Sequence, residues 1–370
     1  MSEVEIRVEG ACGRLTLNRP SALNSLTLMM VRELKAALRQ WIEDPAVEFI
    51  LLDGAGERGL CAGGDIRALY DAARSGRLEE AATFFREEYE LNSLISSYPK
   101  PYIALMDGVV MGGGIGISAH GSLRVVTERS TLAMPETRIG FIPDVGGTFL
   151  LARAPDELGT YAALTASRLG PADALLLRLG DLFISSNEIP SMIAELALCR
   201  TALDAHELLL NKSAAPSPGS LEAERQWIRR CFSRQTIEEI LNSLDEETSD
   251  IAQRAAAEIR KNSPTALKVT LRALRDARHK ADLGYSLRQE YNLAMACLQN
   301  PDFLEGVRAA LIDKDQQPRW SPDDPARVTG EQVEKFFQNH EFPPLNLGHT
   351  YSQRGVSGDN RRNLSRGNYG

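Results

Sequence analysis

With 370 residues, 43% of them hydrophobic and 25% charged, the chain has the balance of a globular protein with one sizeable core and an appendage. A formal charge of −8, with no basic tract interleaved with aromatics before the tail, argues against a nucleic-acid-binding protein. The five cysteines (Cys12, Cys61, Cys199, Cys231, Cys297) are far apart, odd in number and without a CxxC pair, which argues against a disulfide framework and a zinc site.

No apolar run approaches the length of a membrane span, and the acidic, alternating MSEVEIRVEG is unlike a signal or transit peptide, so a reducing cytoplasm is expected. Two short β-like segments open the chain, Val4–Val8 and Arg14–Leu17. NRPSALNSL leads into Thr27–Trp41, where Met30, Leu34, Leu38 and Trp41 recur at helical spacing. Phe49–Leu52 reads as a short buried strand, followed by the glycine-bearing turn AGERGLCAGGDI. Ala72 to Ser97 reads as helical, and Pro101–Met106, Arg124–Thr127 and Thr131–Met134 as strands. Repeated strand–turn–helix succession predicts an α/β core. Beyond roughly Pro190 helical patterns dominate, AAPSPGS (Ala214–Ser220) reads as a linker or loop, and the Gly/Asn/Arg-rich end reads as disordered.

Three segments carry the chemistry: CAGGDI (Cys61–Ile66), MGGGIG (Met111–Gly116) and MPETRIGFIPDVGG (Met134–Gly147). The first two place glycines after a strand and before a helix, where a ligand can approach the main chain and unpaired N–H groups point outward. Two such N–H groups meeting at one oxygen make an oxyanion hole, although a glycine turn alone is usually only a turn. Neither segment is a phosphate loop, because GxxxxGK[ST] and a dinucleotide GxGxxG with its acidic partner are absent. Glu136 and Asp144 sit among apolar neighbours, where a carboxyl has a raised pKa and can serve as base, acid or nucleophile; the plainer reading is a helix cap and a turn. His120 and Cys61 read as buried structural side chains, Arg67 as either a phosphate contact or an exposed helix residue, and DEETSD (Asp245–Asp250) as solvated surface.

The order CAGGDI, KPYIALMDGVVMGGGIGIS, MPETRIGFIPDVGG resembles the crotonase (enoyl-CoA hydratase/isomerase) superfamily. FFREEYELN, AMPET with PDVGG, and FLEGVRAALIDKDQQPRW are similar to its branch that hydrolyses 3-hydroxyisobutyryl-CoA, a step of valine catabolism. The likeness runs from about residue 5 to about residue 340. It implies an α/β crotonase-like core of repeated ββα units over residues 1–200, a helical region over 201–345 covering the acyl pocket, and a disordered tail over 346–370. It places the oxyanion amides at Gly64 and Gly113, and the substrate-site residues at Glu88, Gly113, Glu136 and Asp144.

Hydratases of the superfamily carry one catalytic glutamate two residues beyond the glycine triplet and a second in the PE motif. Here the first place is Gly116, Glu136 fills the second, and Asp144 stands where the hydratases have a glycine. The resemblance therefore implies cleavage of a short 3-hydroxyacyl-CoA thioester. Glu136 acts as nucleophile or as base on a water, Asp144 binds the 3-hydroxyl or places the water, and Glu88 lies in the acyl pocket. The rivals are an enoyl-CoA hydratase or isomerase and a non-catalytic acyl-CoA-binding protein. No metal or redox cofactor is implied, since coenzyme A arrives with the substrate; the partners expected are this small-molecule acyl-CoA and, in a homo-oligomer, further copies of the chain.

Overall fold

The apolar runs after residues 48 and 101 form central strands because a parallel strand covered on both faces has no side left for polar residues. In the computed structural model, which describes residues 2–338 and 342–347, these are two members of a six-stranded sheet. In chain order the elements that build the site are β1 (Val4–Glu9), β2 (Cys12–Leu17), α1 (Leu28–Ile42), β3 (Phe49–Gly54), α2 (Ile66–Arg74), α3 (Leu78–Ser96) and β4 (Tyr102–Met106). They continue with β5 (Val109–Met111), α4 (Gly113–Ser118), β6 (Leu123–Val126), β7 (Thr131–Ala133), α5 (Gly147–Ala152) and β8 (Leu182–Phe183). The large sheet runs β1-β2-β3-β4-β6-β8, with β1 antiparallel to β2 and every other pair parallel; β5 and β7 pair separately.

Strand alternation sorts the apolar side chains between the two faces. Ile50, Leu52, Ala104 and Met106 enter the large cluster that extends from Val4 to Phe336, while Phe49, Leu51, Ile103 and Leu105 enter a smaller cluster on the other side. The smaller cluster is closed by Ile189, Met192 and Leu196, and by Ala205 and Leu209 of the helix Ala202–Lys212. That helix therefore lies behind the sheet, away from the three glycine- and carboxylate-bearing segments. The later helices, among them Pro264–Lys280, Leu283–Gln299 and Pro301–Val307, join the large cluster.

The stretch 72–97, expected to be helical, is divided between two helices. The first begins earlier, at Ile66, because the Asp65 carboxylate accepts a hydrogen bond from Ala68 N–H (3.3 Å) and caps it. The chain then breaks at Ser75-Gly76-Arg77, where Gly76 takes φ +72°, before α3 begins without a side-chain cap. Ala214–Ser220 forms no helix and touches β8 through an Ala214–Phe183 bridge. Of the tail, only residues 346 and 347 lie among the described residues; the expectation for 348–370 falls outside them. Among the described residues no helix is long and apolar enough to cross a membrane.

Candidate active site

Each of the three consecutive glycines is bare for a separate physical reason. Gly112 takes φ +48°, and a β-carbon built on it would lie 3.0 Å from Glu136 Oε1. One on Gly113 would lie 2.5 Å from Glu88 Oε1 and 3.2 Å from Gly64 N, and one on Gly114 would strike the carbonyl oxygen of Cys61 at 2.5 Å. The turn Cys61–Asp65 is held against this segment by a bridge from Cys61 to Val110, and to the chain before α1 by one from Leu26 to Gly64. Among the described residues, neither Gly64 N–H nor Gly113 N–H has an acceptor. Native folds rarely leave a donor like the buried Gly113 N–H unpaired, so a converging pair marks a place for a ligand oxygen.

The carboxylates arrive from two directions. Glu88 comes from α3, whereas Glu136 opens the turn Glu136–Ile139 after β7, and Asp144 follows in the loop before α5. Gly64, Gly113, Glu88, Glu136 and Asp144 all line one cavity of about 70 Å³, walled also by Leu69, Phe84, Phe85, Ile139 and Phe141. Glu88 is 2% exposed and Glu136 and Asp144 are each 6% exposed. Among the described residues Glu88 Oε1 and Glu136 Oε2 have no hydrogen-bond partner, whereas the Tyr89 hydroxyl donates to Asp144 Oδ2 at 2.7 Å.

Burial and then the Asp144 charge push the Glu88 and Glu136 carboxyls well above the usual carboxylate range. Burial raises Asp144 to about 7, with the Tyr89 hydroxyl and backbone pulling against it. Three buried carboxyls so close together resist being charged at once, and the Tyr89 hydroxyl holds Asp144 below where burial alone would put it.

A raised folded-state pKa means that the folded protein holds more protons than the unfolded chain between about pH 4 and pH 8. Stability is therefore greatest on the acidic side and falls as pH rises through the folded pKa of Asp144, about 7, and of Glu290, about 8. The melting temperature should drop between pH 6 and pH 8.5, and D144N should flatten that slope. A slope of the opposite sign in calorimetry would contradict the burial described.

At Gly116, the first of the two hydratase places expected from the resemblance, packing leaves no room for a carboxylate. A β-carbon there would meet Val145 Cβ at 2.6 Å and Asn92 Nδ2 at 2.9 Å, so no longer side chain fits. The remaining conspicuous residues are structural. His120, half-buried and with its pKa lowered to about 4 by desolvation, donates from Nε2 to the Val145 carbonyl at 2.8 Å. Burial pushes the Cys61 thiol up to about 12, and its sulfur sits 3.4 Å from Gly63 N. Arg67 is exposed on α2.

Two residues escaped the sequence reading. Tyr89 was visible only as a letter beside Glu88 in REEYE. Glu290 on the helix Leu283–Gln299 accepts from Gly146 N–H and Thr148 N–H just after Asp144, and no local motif marks it. The helices after residue 201 do not line the cavity. They back it, with Phe303 against Phe141 and Tyr291 against Tyr89, at ring distances of 5.7 and 6.3 Å. A second groove of about 500 Å³ shares Leu69 and Phe84 with the cavity and runs outward past Leu28, Ala68 and Ala72.

The chain is similar to known proteins along most of its length. The family model described as enoyl-CoA hydratase/isomerase matches residues 12–337. A protein of Danio rerio named 3-hydroxyisobutyryl-CoA hydrolase, mitochondrial, is 41% identical over 94% of this chain and 92% of its own length. The Homo sapiens protein of that name is 41% identical over 91% and 89%. A solved structure named as a carnitinyl-CoA dehydratase from Mycobacterium thermoresistibile superposes with a TM-score of 0.90 at 42% identity, over 94% of this chain and 100% of that one. One named as an enoyl-CoA hydratase from Rhodobacter sphaeroides 2.4.1 gives 0.85 at 42% identity, over 91% and 97%.

Proposed function

The chain belongs to the enoyl-CoA hydratase/isomerase family, and from that premise we propose that it hydrolyses the thioester of a short 3-hydroxyacyl-CoA, 3-hydroxyisobutyryl-CoA first. The names of its relatives divide between a hydrolase and a hydratase or dehydratase, at the same level of identity. The observation that carries the choice is the carboxylate pattern. Gly116 has no room for a second hydration carboxylate, while Asp144 brings one to the cavity that Glu136 lines.

In the reaction the thioester carbonyl oxygen lies between the amides of Gly64 and Gly113, which stabilise it as it becomes an oxyanion. Glu136, aimed into the cavity with Oε2 unpaired, drives attack on the carbonyl carbon, directly to an acyl anhydride or through a water. The C–S bond then breaks and the thiolate gains a proton to leave as coenzyme A; on the direct route a water next cleaves the anhydride, restoring the Glu136 carboxylate and releasing the acyl group as the carboxylic acid. Asp144, with a pKa of about 7, is suited to give and retake that proton at neutral pH. Glu88 Oε1 beside Gly113 offers a partner for the 3-hydroxyl. The outward groove past Leu69 and Phe84 is apolar at its inner end and suits the pantetheine arm. The reaction needs water and no further cofactor.

The test is free-thiol release from a panel of acyl-CoAs, with hydration of crotonyl-CoA measured on the same preparation. Thiol release from 3-hydroxyisobutyryl-CoA should exceed that from the unhydroxylated isobutyryl-CoA by at least about tenfold, the worth of one buried hydrogen bond. Efficient crotonyl-CoA hydration without thiol release would replace this reading by a hydratase. A single turnover in ¹⁸O-water tests the anhydride route, because attack of water on the Glu136 carboxyl carbon of the anhydride leaves label in the protein, which action as a base on water never does. Placement in valine catabolism rests on the acyl group alone. The vertebrate relatives are named as mitochondrial, unlike the cytoplasm expected from the sequence. The free cysteines, four of them buried, support a reducing compartment.

A further inference from the structure

We infer that Glu290 is a positioning residue for catalysis, reaching from the helix Leu283–Gln299 to fix the loop that carries Asp144. This rests on the thioesterase reading and extends it to a residue far along the chain from every motif of the site.

The loop needs an external hold. Val145, directly after Asp144, takes φ +54°, a left-handed conformation that a β-branched residue adopts only under constraint. Gly146 follows at φ +79°, where a β-carbon would lie 2.5 Å from His120 Nε2. The loop closes on itself through Gly147 N–H to the Asp144 carbonyl, at 2.6 Å. Glu290 supplies the hold with both oxygens. Oε2 accepts from Gly146 N–H at 2.6 Å, and Oε1 accepts from Thr148 N–H at 2.9 Å and from the Thr148 hydroxyl.

Glu290 is completely buried yet does not line the cavity, so it acts through the loop and not on the substrate. It is also electrically linked to the acid it places. Burial raises Glu290 to about 8 against the pull of its Thr148 and Gly146 donors, and the Asp144 charge raises it further. The other titratable groups around Asp144 are Glu88 and Tyr89 on α3, Glu136, and Cys297 on the helix of Glu290 itself.

E290Q is the informative change. Because each oxygen of Glu290 accepts an N–H, either orientation of the amide sets a donor against a donor. The full-length E290Q protein should show kcat lowered about tenfold to a hundredfold, the scale of a reacting group displaced by a fraction of an ångström to one ångström. Its KM should stay within about threefold, and its pH profile of kcat should be displaced. T148V removes only the hydroxyl donor and should displace the profile in the same direction by less. L293A, a fully buried apolar truncation in the same helix, should lower the melting temperature without moving the profile.

An E290Q protein with wild-type kcat and pH profile overturns the positioning role, as does a loss matched by L293A at equal loss of stability with the profile unmoved. Should E290Q fail to fold, T148V decides alone, and an unmoved profile overturns the role. Wild-type protein that releases no thiol from the panel removes the thioesterase reading and this role with it, whereas wild-type release with an unaffected E290Q removes only the role.

Discussion

Glu136→Gln is expected to lower kcat for thiol release by about a factor of 10³, with KM changed less than about threefold and the fold no less stable. The size follows from what the amide loses. A carboxamide of the same shape is neither nucleophile nor base, and a positioned general base alone contributes roughly 10² to 10⁴ in rate. The unchanged KM follows from geometry, because Glu136 acts on the carbonyl carbon while Gly64, Gly113 and Glu88 hold the rest of the acyl group. The stability expectation separates this residue from an ordinary buried acid. Glu136 Oε2 has no hydrogen-bond partner, and burial with the Asp144 charge makes the ionised form costly. A neutral isostere removes that cost, so the melting temperature of E136Q should equal or exceed that of the wild type, most clearly above pH 7. Retention of more than about a tenth of the wild-type kcat would remove Glu136 from the chemistry.

How far such a site can be read from sequence depends on how local each constraint is. Gly112, Gly113 and Gly114 stood out because one short turn must meet a carboxylate, an amide and a carbonyl at once, and no other residue type satisfies all three. Glu136 and Asp144 were legible because both lie within one apolar segment of fourteen letters quoted from Met134 to Gly147. Glu88 needed the family resemblance, since in a charged run nothing local tells the buried face of a helix from the wet one; Glu87, its neighbour, instead pairs with Arg32 near the surface.

The break between α2 and α3 was hidden for a related reason. Its cap, Asp65, belongs to the oxyanion turn and was read as part of that motif, and the apolar spacing resumes after Gly76 as though uninterrupted. Glu290 was out of reach altogether. Its partners stand 144 and 142 residues away, and only the tertiary packing of the late helices against the large cluster brings them together. Those helices were expected to cover the acyl pocket, but their contribution is to brace its walls through Phe303, Tyr291 and Glu290. Bracing leaves no periodic or compositional trace distinct from ordinary core packing.

Gly113→Ala should cost almost as much as the loss of Glu136, and by a different route. The backbone at Gly113 is that of an ordinary first helical residue, with no left-handed φ, so alanine brings no conformational strain. What changes is space. The new methyl lies 3.2 Å from Gly64 N and 2.5 Å from Glu88 Oε1, filling the spot where the thioester oxygen must meet two amides. Losing one oxyanion donor elsewhere costs about 10² to 10³ in kcat, or roughly 3–4 kcal/mol, and here one methyl obstructs both donors. A fall in kcat/KM of at least about 10³ is therefore expected. The obvious objection is that the methyl merely displaces Glu88 and damages the acyl pocket. E88A made in the G113A background answers it. Truncation of Glu88 relieves that contact but leaves the methyl between the amides, so activity should stay lost. If the double variant recovers to the level of E88A alone, the Glu88 clash was the whole effect, and the bare backbone at Gly113 serves packing rather than the carbonyl oxygen.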